Sequence, residues 1–148
     1  MTKDKLDILM ADDDHEDCFV VKEALEESGL PHQIRFVHDG EELLGLLTRI
    51  DSPEDIPPTR KPDLILLDLN MPRKDGRETL RWMKRDPELQ RIPVVILTTS
   101  TAEDDIGFSY REGASSFITK PSSFQAWVEL VRSLSGYWFD VVKLPSRE

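Results

Sequence analysis

A doubly wound α/β domain, with five parallel strands and helices on both faces of the sheet, is predicted by three observations. Five short apolar runs alternate with segments of helical periodicity. Most of those runs stop abruptly at an Asp, Thr or Lys. The length, 148 residues, is that of one domain with no room for a separate output domain.

The elements follow in order along the chain. Residues 6–11 form the first strand and end in Asp12, Asp13 and Asp14. A helix carrying Phe19, Val20, Ala24 and Leu25 runs to Ser28, and Gly29 suits its C-cap. Gln33–Val37 reads as a short second strand with Ile34 and Phe36 on one face, and the Asp39-Gly40 turn leads into a helix with Leu43, Leu44, Leu46 and Leu47. Residues 51–62 hold Pro53, Pro57, Pro58 and Pro62, which no regular element accommodates, so this is a loop inserted into the domain.

Leu64–Leu67 is a continuous apolar strand closed by Asp68, and a loop through Met71-Pro72 and Asp75-Gly76 enters a helix with Leu80 and Met83 that fades near Pro87. Residues 93–97 are the fourth strand. Thr98-Thr99-Ser100-Thr101 follows, where a threonine or serine is expected to cap a helix with Glu103, Asp104 and Asp105 in its first turn, ending at Gly113. Ser116–Thr119 is the fifth strand and Lys120-Pro121 ends it. Residues 124–134 place Phe124, Trp127, Val128, Val131 and Leu134 at helical spacing, leaving an apolar tail at 135–148.

Composition narrows the function classes. Hydrophobic residues make up 39% and charged residues 32%, as in an ordinary soluble globular protein. Nineteen basic against 29 acidic side chains give a net charge of −10, a field that repels nucleic-acid phosphates and anionic lipid, with no local basic patch read to offset it. Cys18 is the single cysteine and cannot form an internal disulfide. Neither a signal-type apolar region nor an 18-residue apolar run is present, so a cytoplasmic protein without membrane or nucleic-acid partners is expected.

In an open parallel sheet, ligands bind beyond the carboxyl ends of the strands, where strand order reverses. The polar outliers fall there: Asp12 and Asp13 after strand one, Asp68 after strand three, Thr98 after strand four and Lys120 after strand five. Crowded carboxylates repel, so either a pKa is raised or a cation sits between them. Oxygen-only ligands without His or Cys favour a hard ion, and few carboxylates with room for water suit Mg²⁺, with Mn²⁺ able to substitute. Lys120 supplies a point charge that pairs with Asp68 or holds a phosphoryl group, and Thr98 supplies a hydroxyl. Any one of these acids alone reads as a solvated loop residue, whereas their order and residue types together do not. Asp14 is assigned to capping the first helix, with Asp17 in its first turn, and is left out of the site.

Asp12-Asp13, the stretch Leu64-Ile65-Leu66-Leu67-Asp68-Leu69-Asn70-Met71-Pro72 with Asp75-Gly76, Thr98 and Lys120-Pro121 together closely resemble the receiver domain of two-component response regulators, over about residues 6–134. The resemblance implies a flavodoxin-like (βα)5 fold of strand order 2-1-3-4-5. It implies that Asp68 is the phosphoacceptor, that Asp13 ligates Mg²⁺ directly and Asp12 largely through water, and that Asn70 offers its backbone carbonyl to the metal. Thr98 and Lys120 match the switch hydroxyl and the phosphate-pairing lysine, and Phe117 the aromatic switch residue, here without the hydroxyl of the common tyrosine. Thr99 replaces the usual alanine or glycine, and its bulk is expected to slow hydrolysis of an aspartyl phosphate.

The Pro-rich insertion and the tail Tyr137-Trp138-Phe139-Asp140-Val141-Val142-Lys143-Leu144-Pro145 resemble the single-domain regulators of bacterial phytochrome histidine kinases. That subgroup implies a phytochrome kinase as phosphodonor and a homodimer through the face of helix four, strand five and helix five. The apolar tail gives a separate reason to expect a contact surface, the alternative being packing onto its own domain. Output would then be contact with another protein or a change in self-association, not DNA readout.

Other chemistries are weaker. Haloacid-dehalogenase-type phosphatases place Asp-x-Asp-x-Thr/Val after strand one and would make Asp12 the nucleophile, but Glu16 stands in the Thr/Val place. An EF-hand loop needs Gly where Asp17 stands, and neither a P-loop nor a dinucleotide fingerprint occurs. A non-catalytic scaffold is the remaining alternative. His15, His32 and His38 lack metal-ligand spacing and are read as surface or loop residues; Cys18 is read as a core thiol, and Trp82, Trp127 and Trp138 as packing or interface residues.

Overall fold

The computed structural model describes residues 6–50 and 61–141. Its elements are β1 (Asp7–Ala11), α1 (His15–Ser28), β2 (Gln33–Val37), α2 (Gly40–Thr48), β3 (Leu64–Leu67), α3 (Gly76–Arg85), a single 3₁₀ turn at Leu89–Arg91, β4 (Val94–Thr98), α4 (Glu103–Arg111), β5 (Ser116–Thr119) and α5 (Phe124–Ser135). The strands form one parallel sheet of order β2-β1-β3-β4-β5. The expected doubly wound fold is therefore present, with its order reversing between β1 and β3. The Pro-rich segment 51–60 and the last tail residues, 142–148, lie outside the described residues.

Strands buried on both faces must be apolar over most of their length, which is why residues 8–11 of β1, all of β3 and residues 94–97 of β4 read as unbroken runs. Alternate residues feed two cores. Leu9, Ala11, Ile65, Leu67, Val94 and Ile96 face Leu43 and Leu47 of α2 and Leu80 and Met83 of α3. Ile8, Met10, Leu64, Leu66, Val95 and Leu97 face Val21, Ala24 and Leu25 of α1 and Trp127, Val128 and Val131 of α5. Each fully buried aliphatic side chain contributes about 1.5–3 kcal/mol, so these two layers hold the strand ends rigidly in place.

Helix ends follow local chemistry. Asp14 caps α1 by accepting from the amides of Glu16 and Asp17, as expected, and Gly29 closes it in the left-handed region at φ 71°. Asp39, Asp75 and Ser123 cap α2, α3 and α5 in the same way. α4 departs from expectation: its N-cap is Ala102, with no side-chain cap, and Ser100, two residues before it, accepts the Ala102 amide on Oγ instead. The β3–α3 connection carries Arg73 at φ 63°, a costly conformation for a residue with a Cβ. Its guanidinium pairs with the buried carboxylate of Asp39, which anchors the turn to the start of α2.

Three placements add to the sequence reading. His32 lies in the α1–β2 loop, as the surface-or-loop reading allows, but is buried there: Nδ1 accepts the Leu6 amide at 2.9 Å and Nε2 lies 2.6 Å from Ser135 Oγ. Phe19, at helical spacing with core residues, points outward and is 63% exposed. The tail does not leave the domain at residue 135, since Gly136–Val141 continues α5 as a wider π-helical stretch and Trp138 packs into the α1–α5 core.

Candidate functional site

The reversal of strand order puts the carboxyl ends of β1 and β3 side by side, and the residues just past them remain in register. Asp12 donates its amide to Val37 O at 3.0 Å, Asp68 to Ala11 O at 3.0 Å and Lys120 to Thr98 O at 2.8 Å. Residues far apart in sequence are thus fixed on one rim by the sheet's own ladder. The α3 terminus closes over this rim, with the Gly76 amide bonded to Leu69 O at 2.9 Å. A Cβ on Gly76 would stand 2.1 Å from the Asp68 carbonyl oxygen, so only glycine permits the approach.

Carboxylate oxygens of Asp12, Asp13 and Asp68 lie within 4.8 Å of one another. Asp12 is fully buried, Asp68 nearly so, and Asp13 opens to solvent. One ammonium faces them: Lys120 Nζ sits 2.7 Å from Asp12 Oδ2, 3.2 Å from Asp68 Oδ2 and 2.7 Å from Asp17 Oδ2. The second oxygens are held by the backbone, Asp12 Oδ1 by the Asp14 amide at 2.9 Å and Asp68 Oδ1 by the Asn70 amide at 3.3 Å.

The electrostatics follow from three carboxylates, Asp12, Asp17 and Asp68, sharing the Lys120 ammonium, with Asp13 beside them. Burial drives the Asp12 pKa up to about 6, against the Lys120 and Asp14 hydrogen bonds that favour its charge, and the neighbouring Asp68 charge adds to the rise. Burial also opposes the Lys120 charge, but its bonds to Asp12 and Asp17 overcome this and hold the ammonium above the ordinary lysine range. Cys18, buried behind these acids, has its thiol pushed up to about 12 by burial and by the charges of Asp12 and Asp17. Such a cluster accommodates a divalent cation: its ligands are hard oxygens on one open side and its excess negative charge is otherwise uncompensated.

Thr98 ends β4, one residue further than the predicted strand, and is fully buried; its Oγ1 finds no hydrogen-bond partner among the described residues. Thr99 beside it is exposed. Phe117 is half-buried against the α2–α3 core, and its amide donates to Tyr110 Oη at 3.1 Å. The structure thus assembles Asp12, Asp13, Asp68, Thr98 and Lys120 on one rim, with Asn70 exposed at its mouth and Phe117 further out on the edge strand. Asp17 belongs with them, and sequence reasoning missed it because an acid in a first helical turn is explained by the helix dipole alone.

The sequence profile described as "Response regulator receiver domain" matches residues 8–132. The chain belongs to that family. This receiver is 38% identical over 139 residues to the response regulator Rcp1 of Synechocystis sp., covering 94% of this chain and 92% of that one. The crystal structure of the phosphorylated cyanobacterial phytochrome response regulator RcpA superposes on the receiver with TM-score 0.85 at 39% identity, covering 98% of this chain and all of that one. The Mn²⁺-bound form of Rcp1 superposes with TM-score 0.83 at 36% identity, covering 97% and 100%. Family membership sets aside the haloacid-dehalogenase alternative. Among the described residues of the receiver no helix is long and apolar enough to cross a membrane.

Proposed function

We propose that Asp68 accepts a phosphoryl group from a phosphohistidine of a histidine kinase, and that the domain signals by the rearrangement this causes. The observation that carries the reading is the position of Asp68 Oδ2, 3.2 Å from Lys120 Nζ and beside the carboxylates of Asp12 and Asp13. In the transfer a carboxylate oxygen of Asp68 attacks phosphorus in line. The new P–O bond forms as the P–N bond breaks, and the electron pair leaves with the imidazole nitrogen, which takes up a proton.

Asp12, Asp13, Asp68 and the Asn70 carbonyl would hold Mg²⁺, or Mn²⁺ in its place, and the ion would supply charge neutralisation on the phosphoryl oxygens. Lys120, already fixed by Asp12 and Asp17, takes a remaining phosphoryl oxygen by a charge-assisted hydrogen bond. Thr98 Oγ1, buried and unpartnered, gains an acceptor when a phosphoryl oxygen arrives. Its inward movement vacates space for Phe117, and the outer surface of α4, β5 and α5 changes. The chemistry is self-modification in a signalling protein, not turnover of a released substrate.

The names of the relatives support a phytochrome-type histidine kinase as donor; a cytoplasmic setting and a protein partner for output complete the reading proposed here. A homodimer through α4, β5 and α5 is the assembly we propose; Trp138 of the tail packs in the domain's own core, whereas Tyr137 beside it is exposed. Incubation with acetyl phosphate and Mg²⁺ tests the assignment by intact mass. The wild type should gain one phosphoryl group and Asp68→Asn none; equal modification of both would refute it.

A further inference from the structure

Arg77, in the first turn of α3, is not used in the chemistry above, yet its guanidinium is shared by three segments around the site. Nε and Nη2 stand 2.8 Å from the two carboxylate oxygens of Asp105, a fork-to-fork pair between α3 and α4. Nη1 lies 3.1 Å from Asp75 Oδ2 and 3.4 Å from Asn70 Oδ1, both in the β3–α3 connection. Asp105 Oδ2 also accepts Ser100 Oγ at 2.7 Å, and Ser100 Oγ accepts the Ala102 amide at 3.2 Å. α4 has no side-chain cap, so this chain of bonds is what organises its start. The Arg77 and Asp105 side chains are 31% and 17% exposed, which shields the pair from full screening.

We infer that Arg77 is a positioning residue that tethers the β4–α4 connection, through Asp105 and Ser100, to Asn70 and the start of α3 at a fixed separation, and so holds that connection in its resting arrangement. This rests on the phosphoacceptor reading of Asp68. For the buried Thr98 hydroxyl to reach a phosphoryl oxygen, the end of β4 must draw toward Asp68, and Ser100, two residues on, must travel with it. Its bond to Asp105, gripped by Arg77, opposes that movement. A ligand that favours the drawn-in state therefore works against the tether, and removing the tether must tighten its binding.

Beryllofluoride, an analogue of the phosphoryl group, is the probe. Wild type, Arg77→Ala, Asp105→Ala and the double variant are titrated at saturating Mg²⁺, with affinity read from the amide resonances of residues 98–110. Each single variant should bind about 5- to 30-fold tighter than wild type. The double variant should gain no more than about twofold over the better single one, because the two side chains act as one unit. Unliganded single variants should show resonances displaced toward those of the bound wild type, a change that loss of stability alone does not produce. Ser100→Ala leaves the ion pair intact and should tighten binding by about two- to fivefold, keeping the test decisive if a charged-residue variant fails to fold. Folded variants with wild-type or weaker affinity, or single effects that add in full, would overturn the tether. Wild type that ignores beryllofluoride, or Asp68→Asn that binds it equally well, would instead strike the phosphoacceptor reading beneath it.

Discussion

The ammonium of Lys120 lies closer to Asp12, at 2.7 Å, than to Asp68, at 3.2 Å. In the resting site the lysine is therefore engaged chiefly with the buried acid pocket, with Asp17 as a third partner at 2.7 Å. A cation placed among the acids competes with Lys120 for the same oxygens, and a phosphoryl group on Asp68 offers it a new partner.

Removing that cation leaves buried carboxylates uncompensated. Lys120→Met should destabilise the metal-free protein by about 3–5 kcal/mol, the usual cost of stranding one side of a buried ion pair. Millimolar Mg²⁺ should restore much of the loss. Urea unfolding in EDTA and in Mg²⁺ compares the two directly.

Asp12 gives the opposite sign. Its carboxyl titrates near 6 when folded against 3.8 ordinarily, so the folded chain holds the extra proton more tightly and gains stability as pH falls through that interval. Above about pH 6 the ionised group penalises the metal-free fold. Asp12→Asn should therefore raise stability at pH 7.5 in EDTA by roughly 1–3 kcal/mol, with the advantage vanishing below about pH 4. With Mg²⁺ present the ranking should reverse, because the wild type then has a cation to bind.

Gly76→Ala tests the closure of α3 over the phosphoacceptor. A methyl group would lie 2.1 Å from Asp68 O and 2.7 Å from Leu69 Cα, both backbone atoms that cannot swing aside. A loss of about 1–3 kcal/mol is expected, together with weakened Mg²⁺ binding as the Asp68 backbone is displaced. Thermal unfolding and calorimetric Mg²⁺ titration report the two effects.

Thr99 sits exposed next to the buried Thr98, on the side open to water. Thr99→Ala should release phosphate faster than the wild type, by about two- to tenfold, equivalent to roughly 0.4–1.4 kcal/mol of barrier. Loss of the acyl phosphate over time by phosphate release measures it; equal lifetimes would show that the side chain does not limit water.

The fold was legible because its central strands are buried on both faces and must be apolar over most of their length, as Leu64–Leu67 and the first four residues of Val94–Thr98 are. The rim was legible because sheet topology converts sequence order into proximity: Asp12, Asp68 and Lys120 needed only the strand order to be brought together. Contacts made by long side chains between separate crossovers escaped, since nothing local marks them. Arg77 reaching Asp105, and Asp17 reaching Lys120, each looked locally like a charge on a solvated helix turn. Helix periodicity does not by itself separate Phe19, exposed on α1, from its buried neighbours, and the packing of Trp138 follows from the chain winding on beyond α5. The burial of His32 within its loop could not be read because it depends on Leu6 and Ser135, which meet it only in the folded domain.

Phosphate carried by Asp68, just past β3, and not by Asp12 or Asp13, just past β1, is open to a direct chemical test. Reduction of the phosphorylated protein with borohydride converts an acyl-phosphate aspartate to homoserine, and peptide mapping locates it. Conversion at position 68 alone is the result predicted here, and conversion at Asp12 or Asp13 would contradict it.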